Sequence, residues 1–357
     1  MAGVAANDTQ AFLDAFDTQI RWCAKMGSPM YAELVSAARN DIAGDGPTRA
    51  VIEGFPLDPT RAAVPLRLLG CIHGLVLDGR APDLARFYPT VGGTPSQGMV
   101  DALIETIARH SAELRAGLDV APQTNDIGRS AALLPALSYA LGGRKMPVIL
   151  LEIGSSAGLN LLLDKYRYEF GDRSWGDPDA SAIVRSDWSG DPPDLFDEVT
   201  IIERRGCDVM PLDVTDPVDR LRVLSFVWAD QTERFERLEA AIDIARQGPP
   251  PLDAADAAHW TVERLEEPHS EGTMVVLQHS IMWQYLSEEA GRAVTGAIER
   301  AGRRATQDRP FAHIGYEPAP ERYEARGHQL MVTTWPGGHS TMLATGHAHG
   351  SWIEWSA

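Results

Sequence analysis

Val148-Ile149-Leu150-Leu151-Glu152-Ile153-Gly154-Ser155-Ser156-Ala157-Gly158 joins a short apolar run to a glycine-rich turn. Four successive aliphatic residues, Val148 to Leu151, predict a strand buried on both faces. Leu159, Leu162, Leu163 and Tyr166 then recur at i, i+3, i+4 and i+7, the apolar face of a helix. Strand, turn and helix in that order open a parallel α/β unit. Glycines in such a turn let a ligand reach the backbone without meeting a Cβ, and the helix start beyond presents unpaired N–H groups. Glu152 is the unusual residue. A carboxylate at the end of a buried strand is costly unless it has a partner, and a ligand's ammonium group or ribose hydroxyls would serve as one.

Upstream of the turn the texture is helical. Phe12, Phe16, Ile20 and Cys23 recur at helical spacing, as do Val100, Leu103, Ile104, Ile107 and Leu114. A third segment, Ile127 to Leu141, stops at Gly142-Gly143. The expected organisation is an all-helical N-terminal cap domain over residues 1–145 and an α/β domain over 146–357. Further strands are expected at Val199–Glu203, Val223–Trp228, Met274–Gln278, Phe311–Tyr316 and Leu330–Thr334, with helices at Glu233–Arg246 and Glu288–Arg304. Residues 168–193, rich in Gly, Asp, Trp and Pro, are expected to be an insertion.

Composition narrows the partners. Of 357 residues, 44% are hydrophobic and 23% charged, which is globular rather than disordered usage. Lys and Arg number 32 against 50 Asp and Glu, and the net charge of −18 disfavours nucleic acid and anionic membranes. Cys23, Cys71 and Cys207 are odd in number and far apart, so free thiols in a reducing compartment are expected. Residues 1–17 lack the basic and apolar regions of a signal peptide, and no run approaches the roughly 18 apolar residues of a membrane span. These features together predict a soluble cytoplasmic protein.

An acidic residue followed by alternate small residues, here Glu152, Gly154, Ser156 and Gly158, after a first strand resembles the first motif of class I S-adenosylmethionine-dependent methyltransferases. Ser156 stands where that family has its central glycine. The resemblance implies a Rossmann-like, mostly parallel sheet of seven strands with the last antiparallel, and S-adenosylmethionine as cofactor. It implies further that Glu152, Gly154, Ser155, Ser156 and Gly158 hold the cofactor, and that Asp208 and Asp213, or in their place Asp172 or Glu203, hold its nucleoside. The whole chain is also similar to an uncharacterised bacterial family, through Asn125–Ser130, Glu152–Asn160, Arg205–Asp213 and His347–Gly350. The activity implied is methyl transfer to a small-molecule acceptor.

Two other readings stand beside it. Gly154-Ser155-Ser156-Ala157-Gly158 also fits G-x-S-x-G, the nucleophile elbow of α/β-hydrolases, with Ser156, Asp230 and His279 in a permitted chain order. Against it, Glu152 interrupts the apolar strand and no HGGG-like oxyanion segment precedes it. The other alternative is a catalytically silent binding protein of the methyltransferase type. Asp230 and His279 follow expected strands, and either is a candidate to orient a substrate or take its proton; a helix cap and a structural histidine are the plainer roles. Asn125, Asp126 and Arg129 either cover the cofactor or cap the helical segment that follows. His339, His347 and His349 cluster with Trp335, Trp352 and Trp355, but strand alternation alone puts His347 and His349 on one face and no metal is expected.

Overall fold

The computed structural model describes residues 9–123, 125–191, 199–319 and 327–357. The chain forms two compact units, one from the residues before Asn125 together with Asp216–Glu236, the other from Asn125–Thr215 with Arg237–Ala357.

The first unit is helical. Its N-terminal part holds α1 (Thr9–Lys25), α2 (Pro29–Ala43), α3 (Pro47–Ile52), α4 (Val64–Leu77), α5 (Pro82–Ala85), α6 (Met99–Arg109) and α7 (Ser111–Gly117). Proline opens α2, α3, α4 and α5 within their first two positions, where its missing N–H costs nothing. The apolar stripes legible in sequence converge in one core: Phe12 and Phe16 from α1, Leu103 and Ile107 from α6, packed with Leu34 and Leu68. The next helix, α8 (Ser130–Leu141), lies before residue 145 yet belongs to the second unit. It is apolar all round, with every residue except Tyr139 buried, as a helix covered on several sides must be.

A strand expected at Val223–Trp228 is instead the end of α9 (Pro217–Ser225). The Asp216 side chain accepts the N–H groups of Val218 and Asp219, and Pro217 follows it at the first helical position. This local start signal overrides the β-rich composition downstream. The next helix, α10 (Thr232–Gln247), has residues in both units.

Among the described residues the second unit is built on eleven strands: β1 (Val148–Ile153), β2 (Arg167–Phe170), β3 (Arg173–Trp175), β4 (Ile183–Ser189), β5 (Ile201–Asp208), β6 (Leu252–Ala254), β7 (Met274–Ser280), β8 (Phe311–Pro318), β9 (His328–Trp335), β10 (His339–Gly346) and β11 (Trp352–Trp355). They form one sheet in the order β3-β2-β4-β11-β10-β9-β8-β7-β1-β5-β6. The expected seven-stranded class I methyltransferase sheet is thereby overturned. Six neighbouring pairs are parallel and four antiparallel. The reason lies in two stretches: residues expected as an insertion add β2, β3 and β4, and the C-terminal chain adds β10 and β11, extending the sheet beyond β9. Five consecutive strands, β6-β5-β1-β7-β8, are all parallel, and strand order reverses at β1.

Alternation assigns the two faces. Leu151, Ile153, Cys207, Val275 and Leu277 face α11 (Ala257–Glu266) and α12 (Glu288–Arg304), sharing a core with Trp260, Val294 and Ile298. Glu152 and Gln278, paired in register, face the opposite way. The helix expected after Gly158 is a 3-10 segment, Leu159–Lys165, with Leu162 outside helical geometry. Its leucines are buried even so, because the segment lies against β1 and β5. Among the described residues, no helix is long and apolar enough to cross a membrane, and no group of three His, Cys, Asp or Glu is placed to hold a metal ion. The three cysteines are free thiols.

Candidate functional site

The turn after β1 holds three alternate residues in the left-handed region: Gly154 at φ 68°, Ser156 at φ 51° and Gly158 at φ 71°. A serine there costs on the order of 1 kcal/mol, so its surroundings must impose the conformation. They do so through a dense set of hydrogen bonds. The Ser156 N–H donates to Asp208 Oδ2 at 2.9 Å, and the Met210 N–H takes Oδ1 of the same carboxylate at 3.0 Å. Ser155 Oγ donates to the Cys207 carbonyl at 3.0 Å. Asn125 clamps the turn from outside, donating to the Ser155 carbonyl at 3.1 Å and accepting the Leu159 N–H at 2.8 Å. A Cβ at Gly154 would fall 2.7 Å from Met282 Cβ, and one at Gly158 would fall 2.8 Å from Pro250 Cγ. Both glycines are therefore demanded by the chain's own packing as well as by φ.

Glu152 is 2% exposed. Its Oε1 accepts a long hydrogen bond from Gln278 Nε2 at 3.4 Å, and its Oε2 has no partner among the described residues. Burial pushes its pKa up to about 8, against the smaller opposing effects of Gln278 and the Arg129 charge. The carboxyl is neutral at pH 7. The Ser156 hydroxyl is also buried without a hydrogen-bond partner. An elbow nucleophile needs a base within reach, and both ring nitrogens of His279 are engaged elsewhere.

Beside the turn a cleft of about 370 Å³ is lined by Ala157, Leu212, Asp213, Thr215, Pro250 and Leu252, among others. Asp213 sits on its exposed rim, where the Thr215 hydroxyl and amide hold its carboxyl below the usual range. Of the residues expected to hold a cofactor, Glu152, Gly154, Ser155, Ser156, Gly158 and Asp208 are thus gathered at the carboxyl ends of β1 and β5, with Asp213 on the adjoining cleft.

The two residues expected to handle protons are not gathered there. Asp230 belongs to the helical unit, where it accepts from Ser28 Oγ at 2.5 Å and from the Met30 N–H at 3.1 Å. It caps α2, whose own Ser28 makes no side-chain cap bond. His279 lies on the sheet face opposite Glu152, one residue on from Gln278. Its Nδ1 is 2.7 Å from Glu317 Oε1 and its Nε2 is 3.0 Å from His313 Nε2. Glu317 Oε1 also accepts the N–H groups of Met282 and Trp283, at 3.1 and 3.2 Å. Burial raises the Glu317 pKa, but His279 and the two amides outweigh it and hold the carboxyl below its ordinary value. Burial, with His279 alongside, pushes His313 down to about 3. Gly315 leaves room for the His279 ring over β8: a Cβ there would be 3.0 Å from His279 Cε1, a tight contact. All three side chains line a cavity of about 510 Å³. In β8 the spacing His313-x-Gly315-x-Glu317 puts these residues on one face; the expected strand, Phe311–Tyr316, stops one residue short of Glu317.

His347 and His349 lie in the turn after β10 rather than in a strand. His349 Nδ1 is 2.8 Å from Asp126 Oδ2, and Asp126 also accepts the Gly128 N–H at 2.9 Å. Arg129 donates to the carbonyls of Ser280 and Ala348, both at 3.2 Å. With the Asn125 clamp, these bonds bring Asn125–Ser130, Glu152–Asn160, Arg205–Asp213 and His347–Gly350 together in the sheet unit, although the chain separates them widely.

No curated protein and no solved structure matches this chain. A family described as "Uncharacterized protein conserved in bacteria (DUF2332)" matches residues 13–355, and the chain belongs to that family.

Proposed function

We propose that the sheet unit binds S-adenosylmethionine in the cleft beside the Glu152 turn and directs its methyl group to a small-molecule acceptor. The observation that carries this reading is the conjunction at the end of β1. Three alternate left-handed residues close the turn, strand order reverses there, and a cleft of about 370 Å³ opens next to Ala157. Open α/β sheets take ligands outside the carboxyl ends of their strands at such a reversal, and small-molecule sites run from roughly 300 to 1,000 Å³.

Within this reading Asp213, on the exposed rim, is placed to accept ribose hydroxyls. Asp208 acts one step back, because both of its oxygens hold the turn. Glu152 is buried and does not line the cleft, but an ammonium group that reached its partnerless Oε2 would return the carboxyl to its ionised form. When bound, S-adenosylmethionine supplies an electrophilic methyl group; the chain's part is to position it in line with the acceptor and exclude water.

The test is binding to the full-length chain, by calorimetry and thermal unfolding, of S-adenosylmethionine and S-adenosylhomocysteine. A ligand at about 100 times its dissociation constant adds roughly 2.7 kcal/mol, a shift of a few degrees in a chain of this size. Thr215→Trp, at an exposed cleft position, is expected to remove saturable binding while the protein stays folded. No binding of either compound to the unaltered chain overturns the proposal.

A further inference from the structure

We propose that the cavity over β7, β8 and β9 is a second site, an acid–base site in which His313 takes a proton from a small aromatic molecule carrying an acidic hydroxyl. It stands independently of the cleft beside Glu152, since His279 and Glu152 lie on opposite faces of the sheet.

The proton inventory of the buried chain leaves one arrangement for its neutral form. Glu317 is ionised and accepts at Oε1 from two backbone amides, so the His279 nitrogen facing the same oxygen carries a hydrogen. A neutral His279 with its hydrogen on Nδ1 has a bare Nε2. The facing Nε2 of His313, 3.0 Å away, then supplies the N–H between the two rings. That leaves Nδ1 as the basic atom of His313, and among the described residues it has no hydrogen-bond partner. His313 is half-buried and lines the cavity.

The transfer balances without any co-reactant. The hydroxyl O–H bond breaks, and its proton goes to His313 Nδ1. The His313 Nε2 proton moves to His279 Nε2, and the substrate is left as an oxyanion. The positive charge ends on His279, 2.7 Å from the Glu317 carboxylate, rather than on His313. His313 is the catalytic residue of this proposal; His279 and Glu317 are positioning residues that receive and stabilise the charge.

The walls indicate what enters. Trp283, Ile298, Met331 and Trp335 give the cavity a largely apolar, aromatic lining, with Gln284 and Thr333 as polar contacts and an exposed carboxylate, Glu299, paired with Arg303 at 3.8 Å. A volume of about 510 Å³ holds one small ligand. With the base on the wall and indoles around it, a phenol-like molecule fits this chemistry better than a sugar or a polyanion. Filling the space beneath α12 for stability alone would be better served by apolar side chains than by two imidazoles and a carboxylate in series.

The probe is 4-nitrophenol, whose ionised form is distinguished by its visible absorption, titrated into the full-length protein. The unaltered chain is expected to bind it saturably, with an ionised fraction at least tenfold above that of free probe at the same acidic pH. His313→Gln and His279→Gln should bind it un-ionised, with circular dichroism confirming that they fold. Thr333→Trp, on the cavity wall and outside the relay, should abolish binding, and it keeps the test decisive if either histidine variant fails to fold. Absence of saturable binding, ionisation that survives His313→Gln, or binding undiminished in Thr333→Trp would overturn the proposal. No S-adenosylmethionine is present, so failure here and failure of the methyl-transfer reading are separate results.

Discussion

Glu152, buried, and Glu317, half-buried, are carboxyl groups near the carboxyl ends of parallel strands in the same sheet, and they are held in opposite protonation states. Glu152 has a single long hydrogen bond from Gln278 and sits neutral, its pKa pushed up to about 8. Glu317 has His279 and two backbone amides on one oxygen, and is held below its ordinary value. Burial raises the pKa of both, so burial alone does not decide the charge. Aligned donors decide it. The surroundings differ in the same sense: the Glu152 turn is packed by Met282, Pro250 and Leu252, whereas the Glu317 chain ends on a cavity wall.

The sharpest way to break the contrast is to remove the ionised partner. Glu317→Ala would leave a His279 ring N–H and two amides without their acceptor. Leaving these donors unsatisfied costs about 1–3 kcal/mol. A lowered denaturant midpoint in the full chain is the measurement, and a loss under 1 kcal/mol would mean that Glu317 does not hold His279.

Next is the neutral carboxyl. Its folded pKa of about 8 lies above the ordinary 4.5 of a glutamate, so between those values the folded state binds more protons than the unfolded state. The Glu152 contribution to stability is therefore fully present below pH ~4.5, falls as pH rises toward ~8, and is flat beyond. At pH 7 the penalty is on the order of 3 kcal/mol. Glu152→Gln, which cannot ionise, should raise the denaturant midpoint at pH 7 and flatten its fall between pH 5 and 8. Unchanged pH dependence would show that Glu152 is ionised in the folded chain. If S-adenosylmethionine binds as proposed, the same variant should weaken it.

Much of this contrast was legible locally, and much was not. Val148–Gly158 announced a buried strand and a turn because both signals lie within eleven successive residues. The eleven-stranded sheet was hidden because β4 is a strand by virtue of pairing with β11, about 165 residues further on. His279 could be singled out, but the Glu317 hydrogen bond that fixes its tautomer spans 38 residues and needs the β7–β8 register. Asp230 misled for the converse reason. The apolar run before it looks like a strand, while the residues it caps lie 200 positions upstream.

Asp230 supplies a third carboxylate for the comparison, in the helical unit, with donors on both oxygens. Asp230→Ala would leave the Ser28 hydroxyl and the Met30 amide without an acceptor, at a cost of about 1–2 kcal/mol. The expected result is lower stability with unchanged 4-nitrophenol and S-adenosylmethionine binding. Loss of binding at normal stability would restore Asp230 as a site residue.

The smallest effect tests what Ser156 is for. Its φ of 51° is a conformation a glycine adopts without strain, and its hydroxyl is buried with no hydrogen-bond partner. Ser156→Gly removes the strain and the orphaned hydroxyl together, while loosening the unfolded chain slightly. The net change expected is a stabilisation of about 1 kcal/mol or less, with cleft binding retained, since the Asp208 bond runs to the backbone N–H of residue 156 and needs no side chain there. A nucleophile would behave otherwise. Covalent labelling of the unaltered chain by a fluorophosphonate, lost in Ser156→Gly, would make the strained serine a reacting group and the turn an elbow.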